Sequence, residues 1–170
     1  MGRYPNLKNE TFLNVEFCDA PQFNKKQRKR RQGSKYAGIK YEEKVNAKLR
    51  KLFGKQYVKS PWIRYQLENS KPRLCQPDGI LIDSEAGIVT IVECKLSYTA
   101  DAWYQINEVY APVLKAFTEL NSKEYKVRGV QVFARAVPQL VYPEKPVMIT
   151  PEEIGKVGWE SGDKICLWKI

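Results

Sequence analysis

Apolar residues recur at helical spacing from Tyr36 to Phe53 and predict an amphipathic helix there. Taking Glu42 as the origin and about 100° per residue, Ile39 falls at about 60°, Val45 at about −60°, Leu49 at about −20°, Leu52 at about −80° and Phe53 at about 20°. Lys40, Lys44, Lys48, Lys51 and Lys55 fall on the opposite side and give the helix a basic outer face. Glu42 stands in the middle of the apolar stripe, with Glu43 at its margin. A carboxylate in a core-facing stripe is costly unless a cation meets it, which makes Glu42 a candidate for chemistry. Gly54 is placed to cap the C-terminus.

Beyond this helix the period shortens toward two. Tyr57 to Leu67, with Trp62, Ile63 and Tyr65, reads as a strand in which Pro61 marks an edge or a bulge. Asn69 to Pro72 form a turn. Two β-branched runs, Gln76 to Asp83 and Ile88 to Leu96, flank Ser84-Glu85-Ala86-Gly87 and predict a hairpin. A helix follows, capped by Ser97 or Thr99, with Trp103, Ile106, Tyr110, Val113, Phe117 and Leu120 on one stripe and a kink expected at Pro112. Val127 to Val137 is a strand, Thr150-Pro151-Glu152-Glu153 opens a short helix with a capping box, and Lys164 to Ile170 is a final strand. Residues 1–24 carry Phe12, Leu13, Val15 and Phe17 among prolines and asparagines, and read as an extended segment that packs on the domain. From residue 36 the order is helix, three strands, helix, strand, an α/β and more narrowly α+β arrangement with a central sheet flanked by helices.

Length and charge sharpen the picture. A chain of 170 residues makes one domain, here 36–170, preceded by a segment, 1–35, that bears a basic arm. Lys and Arg number 29 against 19 Asp and Glu, a net charge of +10. Seven of those cations, Lys25, Lys26, Arg28, Lys29, Arg30, Arg31 and Lys35, lie in one run without an acidic residue, and leave the rest of the chain at 22 against 19. A like-charge block is either a solvated linker or an arm that lies along phosphates, and a polyanionic partner, nucleic acid, favours the second. No stretch approaches the ~18 apolar residues of a spanning helix. MGRYPNLKNE has no apolar signal core, so an intracellular, cytoplasmic protein with no membrane partner is expected. Cys18, Cys75, Cys94 and Cys166 are scattered and read as reduced thiols. There is no histidine, which excludes Ser-His-Asp and Cys-His nucleophiles, histidine general bases and histidine-ligated zinc.

Acid–base or metal chemistry must then run on other groups, and the hairpin offers them. Asp78 begins one strand; Glu93 and Lys95 end the next, two residues apart and so on one face. An antiparallel pairing around the 84–87 turn makes Asp78 and Glu93 neighbours. Two adjacent carboxylates repel unless a cation sits between them. Mg²⁺ or Mn²⁺ takes one or two carboxylates, a carbonyl and waters, which Asp78, Glu93 and the Cys94 backbone carbonyl could supply. Lys95 beside such an ion can orient a water or neutralise charge on a phosphate, the parts of metal-assisted phosphodiester hydrolysis. The plainer account makes Asp78 a turn residue and Glu93–Lys95 a surface pair. It does not explain why Ile-Val-Thr-Ile-Val ends in Glu-Cys-Lys.

Pro77-Asp78, then Glu93-Cys94-Lys95 on the next strand, with Glu42 on the preceding helix and a helix after the lysine, resembles the PD-(D/E)XK nuclease superfamily over about residues 36–137. The resemblance implies a restriction-endonuclease-like αβββαβ core, Asp78 and Glu93 as metal ligands, Lys95 as catalytic lysine, and Glu42 as a carboxylate that reaches the metal directly or through water. Gln105, followed five residues later by Tyr110, is similar to the glutamine and tyrosine of the RecB-like branch, one residue further apart than is usual there. Iron–sulfur members of that branch carry clustered C-terminal cysteines; this chain has none, and no iron–sulfur cluster is expected.

The expected activity is therefore a Mg²⁺-dependent deoxyribonuclease, with DNA favoured over RNA, and Tyr98, Trp103 or Tyr104 near the site to stack unpaired bases. No base-reading motif is visible, and phosphate contacts carry no sequence information, so structure-selective or single-strand and end-directed cleavage fits better than sequence-specific cleavage. A junction-resolvase-like endonuclease, acting as a homodimer, and a non-catalytic nucleic-acid-binding module are the alternatives.

Overall fold

The structure, a computed structural model, describes residues 4–22, 33–97, 99–135, 147–154 and 165–169. The chain is a mixed α+β protein with a mixed sheet flanked by helices. Helix α1 (Ser34–Phe53) ends where expected, at Gly54, whose φ of 58° suits glycine and whose N–H donates to Arg50 O. Its buried line is Tyr41, Val45 and Leu49, while Leu52 is 40% exposed. The stripe is thus rotated toward Tyr41, because these three pack on Leu81, Val92 and Val130 of the sheet, and Glu42 stands half-buried at its margin and not in its middle.

The strand expected over Tyr57 to Leu67 is two strands in different sheets. They are β2 (Tyr57–Lys59) and β3 (Trp62–Leu67), parted by Ser60 at φ 45° and by Pro61. Proline cannot donate to a ladder and the residue before it has turned left-handed, so pairing must stop there. On one side of β3 lies β1 (Phe12–Cys18), antiparallel, with Val15 opposite Tyr65 and Cys18 opposite Trp62. On its other side lies β4 (Arg73–Cys75), a strand too short to show in the sequence pattern. The expected hairpin is present as β5 (Gly79–Asp83) and β6 (Ile88–Ser97), paired from Gly79↔Val92 to Asp83↔Ile88.

The larger sheet is completed by β7 (Lys126–Arg135), β8 (Val147–Met148) and β9 (Ile165–Lys169), in the order β2-β5-β6-β7-β9-β8. β2, β5 and β6 pair antiparallel, whereas β6, β7, β9 and β8 pair parallel. Thr150 and Glu153 form the expected capping box on a short 3₁₀ turn, Pro151–Glu153.

The crossover from β6 to β7 is one continuous helical stretch in three parts: α2 (Ala100–Tyr104), a π-helical stretch (Gln105–Tyr110) and α3 (Ala111–Leu120). Thr99, the expected cap, accepts from Asp101 N–H at 3.2 Å. Pro112 acts by register, through the π-helical stretch that precedes it. It cannot donate to the carbonyl of Glu108, four residues back. Ala111 N–H reaches five residues back to Ile106 O, and the carbonyl of Glu108 accepts instead from Leu7 N–H at 2.8 Å. Leu7 is buried with this helix in the core, and Lys8 Nζ lies 5.2 Å from the centre of the Trp103 ring. Trp103 is itself buried, a core residue and not a platform for bases.

Two cores result, one on each face of the large sheet: the helical crossover and β1–β3–β4 cover one, α1 the other. Gly129 on β7 is what lets the π-helical stretch sit so low, since a Cβ there would stand 2.3 Å from Ile106 Cγ2. Gly129→Ala should cost about 1–3 kcal/mol of overpacking. Combined with Ile106→Ala it should be less unstable than the two separate losses added, which denaturant unfolding of the four chains of the cycle will measure.

Candidate active site

The hairpin register, carried one step past Gly79↔Val92, sets Asp78 opposite Glu93 at the open end of β5 and β6. Both side chains lie on the face covered by the helical crossover, the face that also holds Ile80 and Ile91. Asp78 Oδ2 accepts from Cys94 N–H at 2.7 Å. Glu93 is only 3% exposed, and its Oε1 lies 3.3 Å from Lys95 Nζ. The Lys95 side chain is 26% exposed, so the ammonium stands at the open side of the pair. Glu93 Oε2 has no hydrogen-bond partner among the described residues. A buried carboxylate oxygen with nothing to accept is costly, and the site is short of positive charge at that atom.

The electrostatics agree. Burial pushes the Glu93 carboxyl well up, the neighbouring Asp78 pushes it further, and Lys95 opposes both. Asp78 is likewise raised, first by burial and then by Glu42, against the Cys94 N–H and Lys95. Glu42 reaches this end from α1: burial raises it, while Lys59, Ser60 and Lys95 pull it down. Three carboxylates from three elements thus share the field of Lys95, as the sequence led one to expect of Glu42, Asp78 and Glu93. Among the described residues no three such side chains close into a ready-made metal cage. The pair Asp78–Glu93 is the close one, with Glu42 acting from further off.

Gln105 and Tyr110 bound the π-helical stretch. A bond from i to i+5 stacks residues five apart much as an α-turn stacks residues four apart, so the extra residue in their spacing is absorbed by the helix. The Tyr110 hydroxyl donates to Gln76 O at 3.2 Å, and its acidity is suppressed first by burial, then by Glu93 and Asp78. Gln105 Oε1 is a second buried oxygen without a partner among the described residues.

Three polar residues of this region carry no signal strong enough to be singled out in the sequence. Gln131, fully buried on β7, is the register neighbour of Glu93, and a glutamine inside a valine-rich strand is its one trace. Ser60 N–H donates to Asp78 O at 2.8 Å, and Gln76 Nε2 donates to Ser60 O at 2.9 Å.

Of the basic run, Lys35 stands exposed in the first turn of α1, whereas Lys25, Lys26, Arg28, Lys29, Arg30 and Arg31 lie outside the described residues, as does Tyr98. The described ends of that connection are β1, whose Cys18 pairs with Trp62 two residues from Ser60, and α1, which carries Glu42. Cys18, Cys75 and Cys94 are free thiols. No helix among the described residues is long and apolar enough to cross a membrane. No protein-family model, curated protein or solved structure matches this chain.

The metal-free site should weaken the fold at neutral pH. A carboxyl whose folded pKa is raised binds its proton more tightly in the native state. Stability is therefore lost as pH climbs above the ordinary carboxylate range of about 4–4.5. In chelator at pH 8, Glu93→Gln should melt above the parent by at least about 2–4 °C, the shift that about 1 kcal/mol gives at this size. The gap should shrink at pH 5. Equal melting temperatures at both pH values would contradict the assignment of Glu93 as the strained member of the pair.

Proposed function

We propose that this chain is a Mg²⁺- or Mn²⁺-dependent deoxyribonuclease of the PD-(D/E)XK type, built on a restriction-endonuclease-like αβββαβ core. The observation that carries the reading is Glu93 Oε2, buried and without a hydrogen-bond partner among the described residues, beside Asp78 and within the field of Lys95. A hard divalent ion fits such a place, since it needs one or two carboxylates and keeps several waters. Asp78, Glu93 and the Cys94 carbonyl would hold it, with Glu42 reaching it directly or through water. When bound, an ion of this kind lowers the pKa of a water and draws charge from a phosphate oxygen.

The chain's own residues do the rest. Glu93 fixes the Lys95 ammonium, which points to the open side and there orients a water against phosphorus and offsets the charge that grows on the phosphate. Water adds to phosphorus, one P–O ester bond breaks, and the proton released by the water ends on the departing oxygen or in solvent. Gln105 and Tyr110 hold the helical side of the site, Tyr110 by gripping the backbone just before Pro77-Asp78. A non-catalytic binding module would leave the buried acidic pair without compensation.

Phosphate contacts come from the basic run Lys25, Lys26, Arg28, Lys29, Arg30, Arg31 and Lys35, and from the lysine face of α1. Among the described residues no element is placed to read base edges, which favours structure-selective or single-strand and end-directed cleavage. Labelled linear duplex, circular single strands, flaps and four-way junctions should show at least one substrate cut with Mg²⁺ and none with chelator. Lys95→Ala and Asp78→Asn should each lower the rate at least about a hundredfold. Absence of metal-dependent cleavage on every substrate, RNA included, would refute the enzyme. Because Leu7 and β1 belong to the core, the run is best tested by neutralisation and not by truncation. Replacing Lys25, Lys26, Arg28, Lys29, Arg30 and Arg31 with alanine should weaken binding and flatten its salt dependence, the slope falling by about 0.9 for each phosphate no longer neutralised.

A further inference from the structure

From Lys44 to Leu67 the chain carries Lys44, Lys48, Arg50, Lys51, Lys55, Lys59 and Arg64 and no Asp or Glu. Arg64 is paired with Glu16, whereas Arg50 and Lys55 form no ion pair among the described residues. The turn that ends α1 brings these two together. Gly54, at φ 58° and with its N–H on Arg50 O, folds the chain back and carries Lys55 toward the arginine. Arg50, Gly54, Lys55 and Tyr57 line a hollow of about 370 Å³ there. Its buried wall is Tyr57, which lies over Gly79 and donates its hydroxyl to Asn46 of α1. Cations in a last helical turn are ordinarily explained by the carbonyls they face, which accounts for Arg50 and Lys51. It does not account for Lys55, beyond the helix, nor for a hollow lined by two cations and, among the described residues, no carboxylate.

The hollow lies on the way to the carboxylates. Arg50 stands eight residues from Glu42 on α1, about 12 Å of helix. From Tyr57, opposite Leu81, β2 leads through Lys59, opposite Gly79, to Ser60, a span of about 10 Å. At about 3.4 Å of axis for each phosphate of a duplex strand, either path covers about three phosphates. We propose that this hollow is a phosphate site, which holds a backbone phosphodiester of the bound nucleic acid about three phosphates from the one at Asp78 and Glu93. The Arg50 guanidinium takes both free oxygens of the diester side by side, and Lys55 adds a point charge. The proposal rests on the nucleic-acid reading of the chain and needs no metal. Its consequence is register: a contact at a fixed distance from the carboxylates sets which bond is presented, which an array of solvated lysines does not.

Binding of labelled single-stranded and duplex DNA to the full chain in chelator tests this. Arg50→Lys keeps the charge and removes the planar fork, and should bind about fivefold more weakly. Arg50→Gln/Lys55→Gln should bind at least about tenfold more weakly at low salt, and its slope of log K against log salt should be smaller by about 0.7 on the single strand. Lys71→Gln/Lys115→Gln removes two exposed charges elsewhere and should bind within about twofold of the parent. All these side chains are exposed, so each variant should melt within about 4 °C of the parent. An Arg50→Lys chain that binds like a DNA-binding parent overturns the site and leaves the nucleic-acid reading standing, as does a Lys71/Lys115 variant that loses as much as the Arg50/Lys55 one. A parent that binds neither DNA nor RNA overturns both. Inorganic phosphate separates the two sources of the anion. If it raises the melting temperature through Arg50 while DNA affinity is indifferent to Arg50, the hollow takes free phosphate and the backbone assignment falls.

Discussion

Everything at the candidate site follows from one pairing: the antiparallel register of β5 and β6, which ends at Gly79↔Val92 and, carried one step further, sets Asp78 opposite Glu93. The register is set by the apolar runs on either side of the Ser84–Gly87 turn. A slip of one residue would turn Ile80 and Ile91 out of the core, so the hydrophobic effect fixes the hairpin and the hairpin fixes the acids. The repulsion between them is therefore imposed by burial elsewhere. It is tolerated because Cys94 N–H and Lys95 meet part of it, and Glu93 Oε2 registers the part that no described residue meets.

The other elements gather around this end for separate reasons. Tyr57 lies over Gly79, where a Cβ would stand 2.0 Å from the tyrosine hydroxyl, so the residue after Asp78 must be glycine for β2 to close on β5. The Tyr57 hydroxyl in turn donates to Asn46 of α1, which locks the helix carrying Glu42 to the strand that leads into Ser60. On the opposite face, Pro112 deprives Glu108 of its helical donor and Leu7 supplies one. The N-terminal segment is thereby fastened to the same helix that brings Gln105 and Tyr110 over the hairpin. Local defects of the chain, a missing N–H and a left-handed serine, are where the separate layers are joined.

The strongest patterns in the sequence were structurally legible. The helix from Tyr36 to Phe53, its glycine cap, the hairpin, the valine-rich strand and the Thr150 capping box stand where periodicity and cap chemistry put them. Asp78, Glu93 and Lys95 could be brought together on paper because a tight hairpin is a local structure whose register is written within twenty residues. Ser60, Gln76 and Gln131 could not, because each acquires its meaning from a partner on another element. The break at Ser60–Pro61 shows the limit well. Proline announced an irregular strand, but only the competition of two sheets for the flanking residues made it a division between them.

The sequence by itself determined the local elements, the absence of imidazole chemistry, and a positive charge concentrated in one run, since these depend on neighbours along the chain. Tertiary structure decided which face of α1 is buried, that Trp103 belongs to the core, and that residues before the basic run are part of the folded body. It also decided that the long spacing from Gln105 to Tyr110 is closed by a π-turn over Gly129. These depend on which surfaces meet, and the free energy of that meeting is shared among residues far apart in the chain.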